Sequence, residues 1–336
     1  MIERLRAGIV GCGAIATWHV DAMERAGLPI DVVAAIDPLA ENAQRVAART
    51  GARVHPSLEA ALDHGGFDAV VIAVPHHLHE RLATTALRAG LHVLLEKPLA
   101  PTVEACDRIL QAAAEVGTVF MVAENAQYWP EVLTVRRLLD DGAIGDIVTA
   151  RAATFFPALG DFYGGARPWR FDLAATGGGV VIDTGSHWLR PLRIWLGEAD
   201  EVVAALGRPD PRMEGESLCR ALVRFSSGLF ASFDAMLMSG GIAPQPLFTV
   251  TGTGGELTIE GSGWVKLWDG ADWRGTKVGD AGGYLKSYEA ELADFASAVL
   301  EGTEPAAAAD YSLGELRIAL AMYRSASTRR WEKVWA

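Results

Sequence analysis

The sequence predicts an α/β chain in two parts, a parallel sheet covered by helices and then an α+β domain built on a large, open and mainly antiparallel sheet. Three observations carry this. Over the first 125 residues, short β-rich apolar runs alternate with amphipathic stretches of helical period. Beyond about residue 146, alternating strands follow one another with turn signals and few helices between them. The length of 336 residues exceeds one ordinary core and suits two domains of roughly 120 to 200 residues. The expected boundary falls at 124/125, with the C-terminal helix packing back on the first domain.

In the first part, strands are expected at 5–10, 32–36, 69–74, 92–95 and 119–123, with helices such as 39–50 and 103–116 between them. Continuous apolar strands alternating with helices mean a parallel sheet buried on both faces. Ligands of such sheets sit at the carboxyl ends of the strands, which places Lys97 at that rim. In the second part, strands are expected at 147–155, 201–206, 218–225, 229–236, 248–251, 256–259 and 265–268, broken by a helix over 180–196. "SSG" at 226–228 reads as a hairpin turn, and helices at 285–300 and 313–327 close the chain. There is no internal repeat, and "TEPAAAAD" at 303–310 is only a short connection.

Composition narrows the function classes. A formal charge of −12 without a basic patch argues against a nucleic-acid or anionic-membrane surface. The 3 cysteines, Cys12, Cys106 and Cys219, are far apart and lack CxxC spacing, so they read as free thiols in a reducing compartment. The start of the chain lacks the apolar core of a secretion signal and no apolar run approaches about 18 residues, so a soluble cytoplasmic protein is expected.

The first motif, "GCGAIA", follows the first strand and makes GxGxxA with Gly11, Gly13 and Ala16. Gly11 permits the tight turn, Gly13 lets backbone approach a pyrophosphate, and the amides at Ala14 and Ile15 open a helix facing the phosphates. Asp37 ends the next strand, where a carboxylate can bind the ribose hydroxyls of an adenosine. A dinucleotide-binding Rossmann domain is therefore expected, with NAD preferred because Pro38 and Leu39 follow Asp37 where an NADP site would place a cation. "AVPHHLH" at 73–79 ends the strand at 69–74; Pro75 breaks the ladder and His76, His77 and His79 cluster there. Adjacent histidines at a helix start diverge and no cysteine or paired carboxylate completes a ligand set, so no metal is expected and Pro75 and His79 read as a border of the cofactor site.

"HVLLEKPLAP" at 92–101 sets a buried run against Glu96, Lys97 and Pro98, and "TGGGVVIDTGSHWLR" at 176–190 carries Asp183 and His187. If the latter segment is helical from about Val180, the carboxylate and imidazole lie on one face, although such spacing equally suits an ordinary surface pair. Its glycines let a ligand or another backbone approach.

Together with "WRFD" at 169–172 and "TGTGGELTIEG" at 251–261, these motifs resemble the glucose-fructose oxidoreductase / inositol dehydrogenase / MocA family over nearly the whole chain. EKP followed about 85 residues later by DxxxH is the specific part. The resemblance implies a nicotinamide-dependent oxidoreductase acting on a sugar, glycoside or cyclitol CH–OH group, and a homodimer or homotetramer formed through the second sheet. It implies that Lys97 contacts the substrate hydroxyl, that Glu96 holds its ammonium, that Pro98 fixes the backbone with a cis bond, and that His187 is the general base oriented by Asp183. The family also contains NAD-dependent glycosidases and a non-catalytic dinucleotide-binding regulator; the latter is disfavoured because Lys97, Asp183 and His187 are all present. In the loop "FFPALGDFYGGARPWRF" at 155–171, Tyr163, Arg167, Trp169 and Arg170 are candidates for binding hydroxyls or stacking on a sugar. Where many relatives carry "NHRF", this chain has "NAQYWP" with Tyr128 and Trp129, an aromatic wall better suited to an apolar sugar face than to a charged substrate.

Overall fold

A computed structural model of the chain describes residues 3–156, 168–238, 243–261, 263–279 and 283–336. These residues form two compact units: 1–125 with 285–313, and 126–284 with 314–336.

The first unit contains β1 (Leu5–Val10), α1 (Ala14–Ala26), β2 (Ile30–Ile36), α2 (Ala40–Thr50), β3 (Arg53–His55), α3 (Leu58–His64), β4 (Ala69–Ile72), α4 (His79–Arg88), β5 (His92–Glu96), α5 (Val103–Ala114) and β6 (Phe120–Ala123). Its six strands run in the order β3-β2-β1-β4-β5-β6, and every pairing is parallel. The crossing from β1 to β4 puts a topological switch point beside the β1–α1 turn, where open sheets of this kind bind ligands. Val70, Val71 and Ile72 are buried, as are Val93, Leu94 and Leu95, because helices cover both faces. The short β3 carries too little periodicity to be read from sequence.

The second unit contains α6 (Pro130–Asp140), β7 (Ile147–Phe156), a short α7 (Leu173–Thr176), α8 (Ser186–Leu196), β8 (Ala199–Gly207), β9 (Leu218–Phe225), β10 (Phe230–Leu237), β11 (Phe248–Gly252), β12 (Glu256–Glu260), β13 (Trp264–Trp268) and β14 (Trp273–Lys277). Most of α9 (Gly283–Glu301) belongs to the first unit, while the body of α10 (Leu313–Thr328) and β15 (Glu332–Lys333) belong to the second. The nine strands run β14-β13-β12-β11-β7-β10-β9-β8-β15, and only β7 and β10 pair in parallel. The turn at 226–228 joins β9 to β10, with Gly228 at φ 85°. On one face of β9 and β10, Cys219, Ala221, Val223, Phe225, Ala231, Phe233, Ala235 and Leu237 are buried; on the other, Leu222 and Phe230 are exposed.

One expected element is corrected. Helix does not run from 180: residues 180–185 form a turn, and α8 starts at Ser186. Gly185 donates to the carbonyl of Val180 at 2.8 Å, a wider loop than an α-helical bond, and a Cβ on Gly185 would lie 2.3 Å from the Val181 carbonyl oxygen. Only glycine fits this turn, so the local fold follows close backbone packing rather than helical period.

Candidate active site

In the first unit, Gly11 adopts φ +86° where β1 turns into α1, and a Cβ there would lie 2.3 Å from the carbonyl oxygen of Ala73. Glycine is required because the turn crosses the end of β4 in backbone contact. Gly13, the cap residue of α1, has nothing within 4 Å of its absent Cβ. The N-cap Gly13 gives α1 no side-chain cap, and no acid stands in its first turn, where the positive end of the helix dipole lies. This open, uncapped helix start fits a pyrophosphate.

Asp37 is 7 % exposed, and its carboxylate accepts from the backbone N–H of Cys12 and of Leu39, each at 2.8 Å. Asn42 reaches both oxygens at 3.4 Å, and Arg45 donates to Asn42 at 2.6 Å while also meeting Glu41 at 3.6 Å. The carboxylate is thus fixed at the end of β2, and Arg45 connects to it through an amide. Burial beside Asp37 pushes the Cys12 thiol up to about 12.

Lys97 follows β5, and its bond to Pro98 is cis. Glu96 is 7 % exposed; one carboxylate oxygen lies 2.9 Å from Nε2 of His19 on α1, and the other accepts from the backbone N–H of Lys97 at 3.3 Å. The described hydrogen bonds of Glu96 therefore go to an imidazole and to the backbone of Lys97. Pro75 precedes a short turn over His76–Leu78, and His79 behind it is fully buried. Both ring nitrogens of His79 meet backbone carbonyls, Nδ1 that of Pro98 at 2.8 Å and Nε2 that of Val74 at 3.0 Å. The ring lies between the ends of β4 and β5, and a neutral imidazole has one N–H to give to these two carbonyls. Burial pushes its pKa down, opposed by these carbonyls and by the charge of Glu96. Among the described residues, no cluster of histidine, cysteine or acidic side chains could hold a metal ion.

In the second unit, Asp183 and His187 are each 7 % exposed. Asp183 accepts from Nε of Arg170 at 3.1 Å, and the Arg170 guanidinium lies 4.5 Å over the Trp169 ring. Trp129, 8 % exposed, sits 6.2 Å from the His187 ring and packs edge-on against Trp188 at 5.5 Å. Tyr128 ends the short turn over Asn125–Tyr128 before α6. Tyr163 and Arg167 lie outside the described residues.

The glycines before Asp183 admit backbone and side chains of this same unit. A Cβ on Gly179 would lie 1.9 Å from the carbonyl oxygen of Glu216, and one on Gly178 would lie 2.1 Å from the Tyr323 hydroxyl oxygen. Glu216 accepts from the N–H of Gly179 at 2.9 Å, the N–H of Val181 at 3.0 Å and the Tyr323 hydroxyl at 3.0 Å. Burial raises the pKa of both Glu216 and Tyr323. Behind His187, buried Arg190 meets Glu315 at 2.8 Å and Gln127 at 3.1 Å, and Arg193 pairs with Glu315 and Glu198. Pro191 has no N–H to give to the His187 carbonyl, so this charged packing helps anchor the helix. Sequence reasoning missed His19, Glu216, Tyr323 and Glu315; each is an isolated polar residue whose partner is 77 or more positions away, except that Glu216 lies 35 and 37 positions from the amides it holds.

Comparison with known proteins decides the family. The model of the oxidoreductase family with an NAD-binding Rossmann fold (GFO/IDH/MocA) matches residues 5–124, and that of the GFO/IDH/MocA C-terminal domain matches 132–258. The chain belongs to the GFO/IDH/MocA oxidoreductase family. It is similar to a 1,5-anhydro-D-fructose reductase of Ensifer adhaerens, 30 % identical over 96 % of each chain. It also resembles an inositol 2-dehydrogenase of Corynebacterium glutamicum, 33 % identical over 48 % of this chain and 49 % of that protein. Among solved structures, the WlbA dehydrogenase of Bordetella pertussis in complex with NADH and UDP-GlcNAcA is 26 % identical with a TM-score of 0.88, covering 98 % of both chains. The GFO/IDH/MocA chain is thus a dehydrogenase or reductase with NAD as its cofactor. No described helix is long and apolar enough to cross a membrane.

Proposed function

We propose that this oxidoreductase transfers hydride between NAD and a secondary carbinol of a sugar, glycoside or cyclitol. The carrying observation is the placement of Lys97 at the carboxyl end of β5, in the same sheet whose first turn opens onto an uncapped helix start. Gly11, Gly13, Ala14 and Ile15 would hold the pyrophosphate, Asp37 the adenosine ribose, and Pro75 would border the nucleotide. When bound, NAD supplies the acceptor for the hydride that leaves the carbinol carbon. The chain's part is the proton and the charge. Lys97 donates to the substrate oxygen and stabilises the negative charge that grows there, and His187 takes the hydroxyl proton. Asp183, held by Arg170, orients that base. Trp129, Tyr128, Tyr163, Trp169 and Arg170 would line the substrate side, the aromatic rings offering faces to sugar C–H groups.

Incubation of the protein and NAD with inositol, aldoses and simple glycosides, and of protein and NADH with 1,5-anhydro-D-fructose, tests this. Net change in NADH with at least one substrate is expected. Sugar release from a glycoside without net cofactor change would replace the reading by transient-redox hydrolysis, and NAD binding without turnover of any substrate would favour a regulator.

We also propose a homodimer or homotetramer assembled through the uncovered face of the second sheet. Leu222 (46 % exposed) and Phe230 (39 % exposed) stand there beside an Arg151–Asp234–Arg220 bridge of 3.2 and 2.8 Å, and Arg224 covers the Phe230 ring at 5.1 Å. Apolar groups framed by paired charges suit a self-complementary contact. Multi-angle light scattering at micromolar concentration should give a dimer or tetramer; a monomer contradicts this assembly.

A further inference from the structure

Resting on the assignment of Lys97 to the substrate oxygen, we propose that His19 and His79 are positioning residues: two buried imidazoles, one on the Glu96 carboxylate and one on the Pro98 carbonyl, that flank Lys97 and fix its direction. Both are 0 % exposed. They come from different helices, His19 from α1 and His79 from α4, and converge on one tripeptide.

His19 acts through Glu96. Its Nε2 lies 2.9 Å from one carboxylate oxygen, while its Nδ1 is buried without a partner among the described residues. An N–H at Nδ1 would be a donor with nowhere to go, so the proton belongs on Nε2, where the carboxylate accepts it. The Tyr288 ring packs edge-on against this imidazole at 5.0 Å. The second carboxylate oxygen then accepts the Lys97 backbone N–H at 3.3 Å, so the imidazole holds the carboxylate that holds Lys97. On the other side, Nδ1 of His79 lies 2.8 Å from the Pro98 carbonyl; with the ring's one N–H placed there, it donates to the peptide that follows Lys97. Nε2 of the same ring lies 3.0 Å from the Val74 carbonyl and makes no hydrogen bond to it in that tautomer. The flexible lysine stem thus starts from a Cα whose neighbouring peptides are both restrained, a preorganisation that lowers the cost of presenting the ammonium.

The two rings contact the segment through different nitrogens, and this gives the test. A glutamine amide nitrogen reaches the place of Nε2 and an asparagine amide nitrogen that of Nδ1. His19→Gln and His79→Asn should therefore recover turnover to within about fivefold, whereas His19→Asn and His79→Gln should lower kcat by about tenfold or more, with KM and NAD affinity moved less than about threefold. The substrate is whichever of inositol, 1,5-anhydro-D-fructose or the aldoses is turned over fastest. A uniform effect of all four substitutions, or loss confined to thermal stability, overturns the grip. Lys97→Met separates the two readings: if it retains turnover, the assignment of Lys97 fails and the grip with it; if it is inactive while the four variants behave alike, the grip alone fails. Long-range nitrogen–proton NMR on the unaltered protein needs no variant and no substrate. It should show a proton on Nε2 of His19 and on Nδ1 of His79; an Nε2 of His19 without a proton overturns the proposal.

Discussion

The segments that carry Lys97 and Asp183 are both buried turns beside a helix, yet they are held in opposite ways. Lys97 leaves a strand whose path is set by parallel pairing on both sides, to β4 and to β6, and side chains then trim its direction. Asp183 sits in a turn outside the strand ladders, and the Gly179 and Val181 amides before it are held by one carboxylate, that of Glu216. A strand end inherits its geometry from a cooperative ladder, whereas a glycine turn borrows it from a few tertiary hydrogen bonds. The second should therefore be the softer of the two segments.

The sharpest test of the equivalence of the two segments in chemistry is to remove their functional groups. Lys97→Met and His187→Ala should each lower turnover by about a hundredfold or more, with dinucleotide affinity nearly unchanged by fluorescence titration. Near-normal turnover in either would remove that residue from the mechanism and break the symmetry of roles.

Cofactor choice belongs to the strand-ladder side and should be firmly set. Asp37 would place its carboxylate against a 2′-phosphate, so NAD should be preferred to NADP by about tenfold or more in kcat/KM. Asp37→Ala should erode that preference chiefly by weakening NAD. Equal use of NADP by the unaltered enzyme would show that Asp37 does not meet the ribose, and that the Arg45–Asn42 contact serves a phosphate instead.

The turn side should yield when its clamp is cut. Glu216→Ala leaves the Val181 N–H and the Tyr323 hydroxyl without their acceptor and the Gly179 N–H with only the Tyr323 oxygen at 3.2 Å, a loss of about 2 to 4 kcal/mol. Thermal unfolding should show it, and kcat should fall by about tenfold as Asp183 loses its setting. The pH dependence has a definite sign. The folded-state pKa of Glu216 is raised, so the native state favours the protonated form: its contribution to stability is full below the ordinary glutamate pKa and is lost as pH rises through the raised one. Glu216→Gln should flatten that part of the stability–pH profile; an unchanged profile would show that another group governs it.

The smallest effect is expected at Cys12. With its thiol pushed up to about 12, it should resist alkylation at neutral pH in the folded protein and react only on unfolding. Rapid labelling of the native enzyme would mean that the β1–α1 turn opens far more than its backbone contacts imply.

Sequence alone determined the parallel sheet, the glycine turn at Gly11 and Gly13, Asp37 at the end of β2, and Lys97 at the end of β5. Each depends on a local pattern: a run of Val, Leu and Ile, a glycine at a required backbone angle, or a residue placed directly after a strand. Tertiary structure alone decided that 180–185 is a turn, because Gly185 packs on the Val181 carbonyl and Glu216 captures the amides of Gly179 and Val181. It likewise decided that Asp183 is met by Arg170, and that His19 and His79 close on the Lys97 segment. Those contacts join residues 13, 77 and 19 positions apart through single hydrogen bonds. Periodicity records which face of an element is buried, but it carries no trace of which distant polar atom will satisfy another once the chain has closed around both.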